Sequence, residues 1–277
     1  MSTIDTLWLA HLNRNTEDAG SDSTINLTIN VDGEDVLDHD YGSNVGDGEA
    51  YINGGSQLET PFDSAELTNC SVRIGVRDDD AWGPGDVLVF GQSTAEFQSG
   101  VAVPLVMETG LTDFLSTDPS EGPLTVPLRR VDPGTSNTVI RRVLLLVDTQ
   151  WATHGTDTGT DSAIQLEVFA GENLVLREEI DDTSQSDLEK GTSNWYMMDA
   201  PVPFTRGEVQ AGGRIVLSIL GKDAWKPMVL FVFGLDTASG RPNQIVTLVS
   251  LPVWGPRWMS KDMSEGDASV DLQVTPG

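Results

Sequence analysis

The sequence predicts an all-β protein built from two tandem antiparallel β-sandwich domains that are related by an internal repeat. Three observations predict it. Short apolar stretches alternate with a period of two, 28 glycines and 14 prolines interrupt the chain at short intervals, and one segment occurs twice. Many short antiparallel strands within a unit of ~100–150 residues are typical of a β-sandwich.

The repeated segment surrounds an Asp-Ala-Trp-x-Pro motif. Residues 78–91 read DDDAWGPGDVLVFG, and residues 221–234 read GKDAWKPMVLFVFG. Two further triplets recur in the same order: Gly-Ser-Asp at 20–22 with Gly-Thr-Asp at 159–161, and Ser-Glu-Gly at 120–122 with 264–266. The repeat predicts two like domains, 1–134 and 135–277, which meet at a stretch rich in Pro, Gly, Ser and Thr.

The apolar pattern predicts strands with one buried face. The alternating sets are Ile25, Leu27, Ile29 and Val31; Val72, Ile74 and Val76; and Ile215, Leu217 and Ile219. Two fully apolar runs, 143–147 and 229–233, are too short for buried helices and predict strands covered on both faces. No segment shows a sustained helical period, and the weak helical candidates are 63–67 and 184–190.

Acidic residues dominate the charge, with 43 Asp and Glu against 16 Lys and Arg and a net charge of −27 at pH 7. Binding to nucleic acid requires a basic face that neutralises phosphates, so we expect no nucleic-acid partner. The acidity indicates either a salt-rich environment or divalent-cation sites. Because the acids are spread over the whole chain, the sequence favours the first explanation.

The amino terminus lacks the basic and apolar regions of a secretory signal, and no apolar run approaches the ~18 residues of a membrane span. We therefore expect a soluble protein that is cytoplasmic or incorporated in an extracellular particle. The single cysteine, Cys70, excludes an internal disulfide, and its position at a strand start predicts a buried, inert thiol.

Four features of the second unit occur in a characteristic order. They are Gly159-Thr160-Asp161, Gly171, Asp187-Leu188-Glu189-Lys190-Gly191 followed by Trp195 and Tyr196, and Asp223-Ala224-Trp225. In this order the unit resembles the PLAT family, also called the lipoxygenase homology domain. The first unit keeps the first, second and last features at 20–22, Gly33 and 80–82, but has a Gly/Asn-rich stretch at 41–55. The resemblance implies an eight-stranded sandwich that docks to membranes or proteins, sometimes with calcium.

Four aspartates are candidate calcium ligands: Asp22 and Asp80 in the first unit, and Asp161 and Asp223 in the second. Calcium requires several oxygen ligands that converge from loops at one end of a sandwich, and these loops could converge in that way. The alternative is that the aspartates cap turns through hydrogen bonds from the side chain to the backbone.

The tryptophans are of two kinds. Trp82 and Trp225 each precede an apolar strand, and we expect them to fill the core where a loop meets that strand. Trp254 and Trp258 flank a Gly-Pro turn and are the candidate interaction residues. Trp258 aligns with Phe114, which favours a structural role, whereas Trp254 has no aromatic counterpart and could contact an external partner.

The sequence does not indicate catalysis. The three histidines occupy non-equivalent positions, and no nucleophile elbow, zinc-protease motif or phosphate loop occurs. We therefore expect a non-enzyme.

Two functions fit these observations. The first is a structural protein with protein partners, a homo-oligomeric surface, decoration or connector subunit of a larger assembly such as a virus particle from a high-salt environment. The alternative is a calcium-assisted docking module for a membrane or a protein. A chain of net charge −27 is repelled by anionic lipid, which favours the first.

The calcium hypothesis predicts that millimolar calcium raises the melting temperature in high salt relative to a chelator, because a ligand that binds only the folded state stabilises it. Scanning calorimetry measures the shift. Identical melting temperatures in calcium and chelator would exclude the site.

Overall fold

The computed structural model describes residues 3–42, 46–63, 70–93, 101–149, 158–181, 188–255 and 258–275. Among these residues there are strands β1 to β19 and one short helix, α1, so the predicted all-β class is confirmed. The chain divides into two compact units, Met1–Pro133 and Gly134–Gly277, next to the boundary predicted at residue 134.

Unit 1 contains two antiparallel sheets. Its strands are β1 (Thr3–Asn13), β2 (Ile25–Val31), β3 (Glu34–Tyr41), β4 (Ala50–Asp63), β5 (Cys70–Val76), β6 (Pro84–Gln92), β7 (Val103–Glu108), β8 (Thr125–Leu128) and β9 (Asp132–Pro133). Strands β7, β6, β1 and β4 lie in this order in one sheet, and β3, β2, β5 and β8 form the other.

Unit 2 also contains two antiparallel sheets. Its elements are β10 (Val139–Thr149), β11 (Ile164–Ala170), β12 (Asn173–Ile180), β13 (Ser193–Thr205), α1 (Arg206–Gln210), β14 (Arg214–Ile219), β15 (Pro227–Asp236), β16 (Gln244–Leu251), β17 (Trp258–Met259), β18 (Gly266–Asp267) and β19 (Ser269–Leu272). Strands β16, β15, β10 and β13 lie in this order in one sheet, and β12, β11, β14 and β19 form the other. The short strands β17 and β18 pair in parallel.

The two units have the same strand order. Strands β1 to β8 of unit 1 correspond in sequence to β10 to β16 and β19 of unit 2, and corresponding strands have corresponding neighbours. In each unit one hydrophobic cluster takes residues from both sheets, so the core lies between them.

The buried faces follow the predicted alternation. Ile25, Leu27 and Ile29 are fully buried in unit 1, as are Ile215 and Leu217 in unit 2. Burying one such side chain contributes about 1.5–3 kcal/mol, so these rows are a main source of stability. The runs 143–147 and 229–233 are buried at every position, as predicted for strands covered on both faces.

Cys70 is buried, and burial raises the pKa of its thiol, which keeps it unreactive.

Close packing explains why two glycines recur. A Cβ at Gly91 or Gly234, which end the Val-Phe-Gly segments, would lie 2.5 Å from a methyl carbon of an isoleucine on the neighbouring strand. A Cβ at Gly122 or Gly266, in the Ser-Glu-Gly triplets, would lie 1.9 Å from a backbone carbonyl oxygen. At Gly122 and Gly266 only glycine fits without movement of the backbone, whereas a side chain at Gly91 or Gly234 would displace the packed isoleucine.

The helix was not predicted. It follows Thr205, whose hydroxyl accepts from the Glu208 N–H at 3.2 Å, while the Thr205 N–H donates to Glu208 Oε2 at 2.7 Å. This capping box was readable from Thr-x-x-Glu at 205–208, but the helix is too short to show a period. Of the helical candidates 63–67 and 184–190, only Asp63 and residues 188–190 are described, and none of them is helical.

Replacing Gly266 by alanine should lower the free energy of unfolding by roughly 2 kcal/mol or more, because the new Cβ meets the carbonyl oxygen of Trp258. Urea denaturation measures the loss. Gly255→Ala is the matched control, since nothing lies within 4 Å of its Cβ, and it should change stability by less than about 0.5 kcal/mol. Equal effects at the two positions would contradict the packing.

Candidate functional site at the loop ends

Each unit brings its repeated motifs together at one end of the sandwich. We call this the loop end: residues 14–24, 46–49, 77–83 and 110–124 in unit 1, and 158–163, 188–192, 220–226, 253–255 and 258–268 in unit 2. In unit 1 the Trp82 N–H donates to the Leu115 carbonyl at 2.9 Å, and in unit 2 the Trp225 N–H donates to the Met259 carbonyl at 2.9 Å. The same loops therefore meet in the same way.

A buried tryptophan anchors each loop end. Trp82 and Trp225 are both 0% exposed. The Trp82 indole N–H donates to Asn13 Oδ1 at 2.8 Å, and the Trp225 indole N–H donates to Thr149 Oγ1 at 3.1 Å. Asn13 and Thr149 are the last residues of β1 and β10, so the acceptor occupies the same place in both units. The core position predicted for both tryptophans is confirmed.

The candidate calcium ligands are brought together in pairs, through the backbone. The Asp22 N–H donates to Asp80 Oδ2 at 3.2 Å, and the Asp161 N–H donates to Asp223 Oδ2 at 3.1 Å. Asp223 also accepts from the Ala224 N–H at 3.0 Å. Asp80 and Asp223 thus each cap a backbone N–H of the preceding loop and join the two loops. Within the described residues, no group of three or more His, Cys, Asp or Glu could hold a metal ion.

The loop end of unit 1 carries an acidic depression of about 680 Å³. Six exposed carboxylates line it: Asp18, Asp22, Asp47, Asp79, Asp80 and Glu121. Nearby, hydrogen bonds from the hydroxyl and the amide of Thr24 hold the pKa of Asp78 below its usual range. Asp18, Asp47 and Glu121 were not predicted for this site, because they stand on separate loops that only the fold brings together.

The loop end of unit 2 carries all the lysines of the chain: Lys190, Lys222, Lys226 and Lys261. Lys222 immediately precedes Asp-Ala-Trp, where unit 1 has Asp79. Lys190 precedes a glycine with φ 75°, as Asp47 precedes Gly48 with φ 74°. Unit 2 therefore has lysine where unit 1 lines its depression with carboxylates.

Trp258 and Phe114 occupy corresponding places, and each lies beneath a cation. The guanidinium carbon of Arg14 is 4.1 Å from the centroid of Phe114, and Nζ of Lys226 is 5.7 Å from the centroid of Trp258. The cations come from different chain positions, since Lys226 corresponds to Gly83. A Cβ at Gly83 would lie 2.7 Å from Nη2 of Arg14, so unit 1 has no room for a side chain there.

Trp254 corresponds to Leu111. Its backbone N–H donates to the Met228 carbonyl at 2.7 Å, as the Leu111 N–H donates to the Gly85 carbonyl at 2.8 Å. Trp254 is half-buried and packs against the core of unit 2, which leaves part of its indole exposed. The exposed apolar side chains are its neighbours: Val253 is 51% exposed and Met228 is 38% exposed.

A third apolar side chain, Met263, is 92% exposed on the loop that contains Lys261. Unit 1 has Gly85, Gly110 and Pro119 at the places of Met228, Val253 and Met263. No local sequence pattern predicts the exposure of these apolar residues, which stand out only when the two units are compared position by position.

One buried histidine lies beneath the loop end of unit 1. His11 is fully buried, its Nδ1 lies 3.1 Å from Asn13 Oδ1, and its ring packs edge-on to Trp82. Burial lowers the pKa of His11 to about 4, against the weaker opposing effect of Asn13. Because the ring is sealed from solvent in its neutral form, it stabilises the core and is not placed to exchange protons with a substrate.

Comparison of the chain with protein-family models, curated proteins and solved structures gives no match. No helix in the described part of the chain is long and apolar enough to cross a membrane.

Acidification should destabilise the protein through His11. The folded state holds its pKa at about 4, below the ordinary histidine value of 6.5, so its contribution to stability is complete above pH 6.5 and is lost as pH falls towards 4. The loss is about 3 kcal/mol at ~1.36 kcal/mol per pKa unit. Denaturation of His11→Gln and wild type across this range measures it. Parallel pH dependences would contradict the assignment, whatever the absolute stability of the variant.

Proposed function

We propose that this protein is a non-catalytic structural subunit of a larger assembly, a surface, decoration or connector protein such as those of virus particles. It is homo-oligomeric and suited to a high-salt environment. One observation carries the proposal: the two units have the same frame but present different side chains at the same end. Exposed carboxylates line the depression at the loop end of unit 1, whereas the loop end of unit 2 carries lysines and exposed apolar residues beside its carboxylates.

The shared features of the loop ends are accounted for by folding. The buried tryptophan, the capping aspartate and the close-packed glycine have the same contacts in both units. The features that differ are exposed and are not required by the frame. Surface side chains that differ on the same scaffold indicate different neighbours, which suits a subunit that contacts two partners.

The acidic surface supports a high-salt environment. Net charge far from zero keeps a protein soluble, but self-repulsion opposes close assembly. At ~1 M salt the screening length falls to about 3 Å, so such chains can approach one another. The acidity also disfavours contact with anionic lipid, which the docking alternative requires.

The alternative remains a calcium-assisted docking module of the PLAT type. Two features support it: each unit has eight principal strands in two sheets, and Asp22 and Asp161 stand beside Asp80 and Asp223 on adjoining loops.

Light scattering and liposome co-sedimentation at multimolar salt separate the two functions. We expect a closed oligomer whose mass is a multiple of 29.8 kDa and which ignores vesicles of anionic lipid, with calcium or without it. A stable monomer that sediments with vesicles only in calcium would contradict the structural role and support docking.

A further inference from the structure

We propose that the partner of the unit 2 loop end is the unit 1 loop end of a second copy of this chain. The contact is head-to-tail, with the lysines of one copy facing the acidic depression of the next. This inference rests on the proposed function, because it names the partner through which the subunit assembles.

The lysines are free to take part in such a contact. Lys190, Lys222 and Lys261 are exposed, and Lys226 is half-buried over Trp258. Among the described residues, no ion pair joins any of these lysines to a carboxylate. The ion pairs found there are all made by arginines. Lys261 donates to the Leu220 carbonyl, which holds its stem at the loop end. The four lysines of a chain with 43 acidic residues thus stand at one end of unit 2, with no ion pair to a described carboxylate.

Six carboxylates also occur at the unit 2 loop end. Four of them have counterparts in unit 1, namely Asp161, Asp223, Asp262 and Glu265, whereas Glu189 and Asp267 do not. Asp262 accepts from the hydroxyl and the amide of Ser264, which lower its pKa. Asp118 accepts from Ser120 in the same way in unit 1. Glu265 likewise accepts from a serine hydroxyl at 3.0 Å, as Glu121 does at 2.8 Å. Both units share these groups.

The difference in charge between the loop ends therefore comes from positions at which the two units have different residues. Unit 1 has Asp47 and Asp79 where unit 2 has Lys190 and Lys222. Unit 1 adds these carboxylates to the rim of its depression, and unit 2 adds lysines at the corresponding places. Opposite charges at matching positions of one frame are complementary when the two ends face each other.

The apolar residues fit a protein partner. Methionine and aromatic residues are enriched in protein interfaces, whereas charged residues are depleted from the interface core, so the lysines would lie in the polar rim of such a contact. Met228, Val253 and Met263 are exposed among the lysines of unit 2. The unit 1 loop end offers Leu124, which is 52% exposed, as an apolar counterpart beside its carboxylates. A contact of this kind is heterologous, so repetition closes a ring or extends a filament.

Two charge-reversal variants test the contact. Lys190→Asp with Lys222→Asp disables the unit 2 loop end, and Asp47→Lys with Asp79→Lys disables that of unit 1. Light scattering should give one chain, 29.8 kDa, for each variant alone. An equimolar mixture should assemble again beyond one chain, because one intact end of each kind remains and the two reversed ends also carry opposite charges. The measurements use the lowest salt at which circular dichroism shows the wild type folded.

Two further variants control for altered net charge. Glu178→Lys with Glu179→Lys changes exposed residues of β12, and Arg241→Asp changes the exposed turn between β15 and β16. Both lie outside the loop ends and should assemble like the wild type. Circular dichroism and melting temperature verify that every variant folds.

The outcomes separate this inference from the proposed function. An oligomer that persists in both charge-reversal variants would overturn the head-to-tail contact and leave the structural role intact. Monomeric variants that do not combine would also overturn the contact, as would a wild type that is monomeric and ignores lipid. A monomeric wild type whose binding to anionic vesicles is lost in the lysine variant would overturn both.

Discussion

The hydrogen bond from a buried indole to the end of the first strand is the interaction on which both units depend. Trp82 reaches Asn13, and Trp225 reaches Thr149. A buried N–H without a partner costs about 1–3 kcal/mol, so the bond fixes where the Asp-Ala-Trp loop crosses the sandwich. The backbone bridges to Leu115 and Met259 then hold the next loop, and the capping aspartates hold the one before it. Because this frame is buried, the side chains above it can differ without loss of the fold.

The loop ends of the two units differ in charge, and the buried titratable groups of the units also differ. His11 is neutral in the core of unit 1 and favours neutral pH. In unit 2 burial raises the pKa of Asp148 to about 7, against the weaker effect of Ser193. The stability that this group contributes is present below its ordinary value of 3.8 and is lost as pH rises through 7. Acid therefore lowers the stability of unit 1 through His11 and raises that of unit 2 by protonating the buried Asp148. The two units share one frame but respond to pH in opposite directions at these groups.

The sequence predicted the features that repeat and missed those that depend on three-dimensional placement. Alternation at 25–31 and 215–219 identified buried strand faces, since a period of two follows directly from the pleat. The doubled Asp-Ala-Trp identified the core tryptophans. The acidic depression was only partly foreseen, because Asp47 and Glu121 approach Asp80 through folding alone. The indole pair at 254 and 258 was readable from the sequence, whereas the exposure of Val253 and Met263 follows no local pattern.

A double-mutant cycle on Trp225 and Thr149 tests the central claim most directly. Trp225→Phe removes the indole N–H, and Thr149→Val removes the acceptor while keeping its shape. If the bond fixes the loop, urea denaturation should give a coupling free energy of about 1 kcal/mol between the two changes. Additive losses, with a coupling indistinguishable from zero, would show that the loop is held by packing alone and would contradict the account.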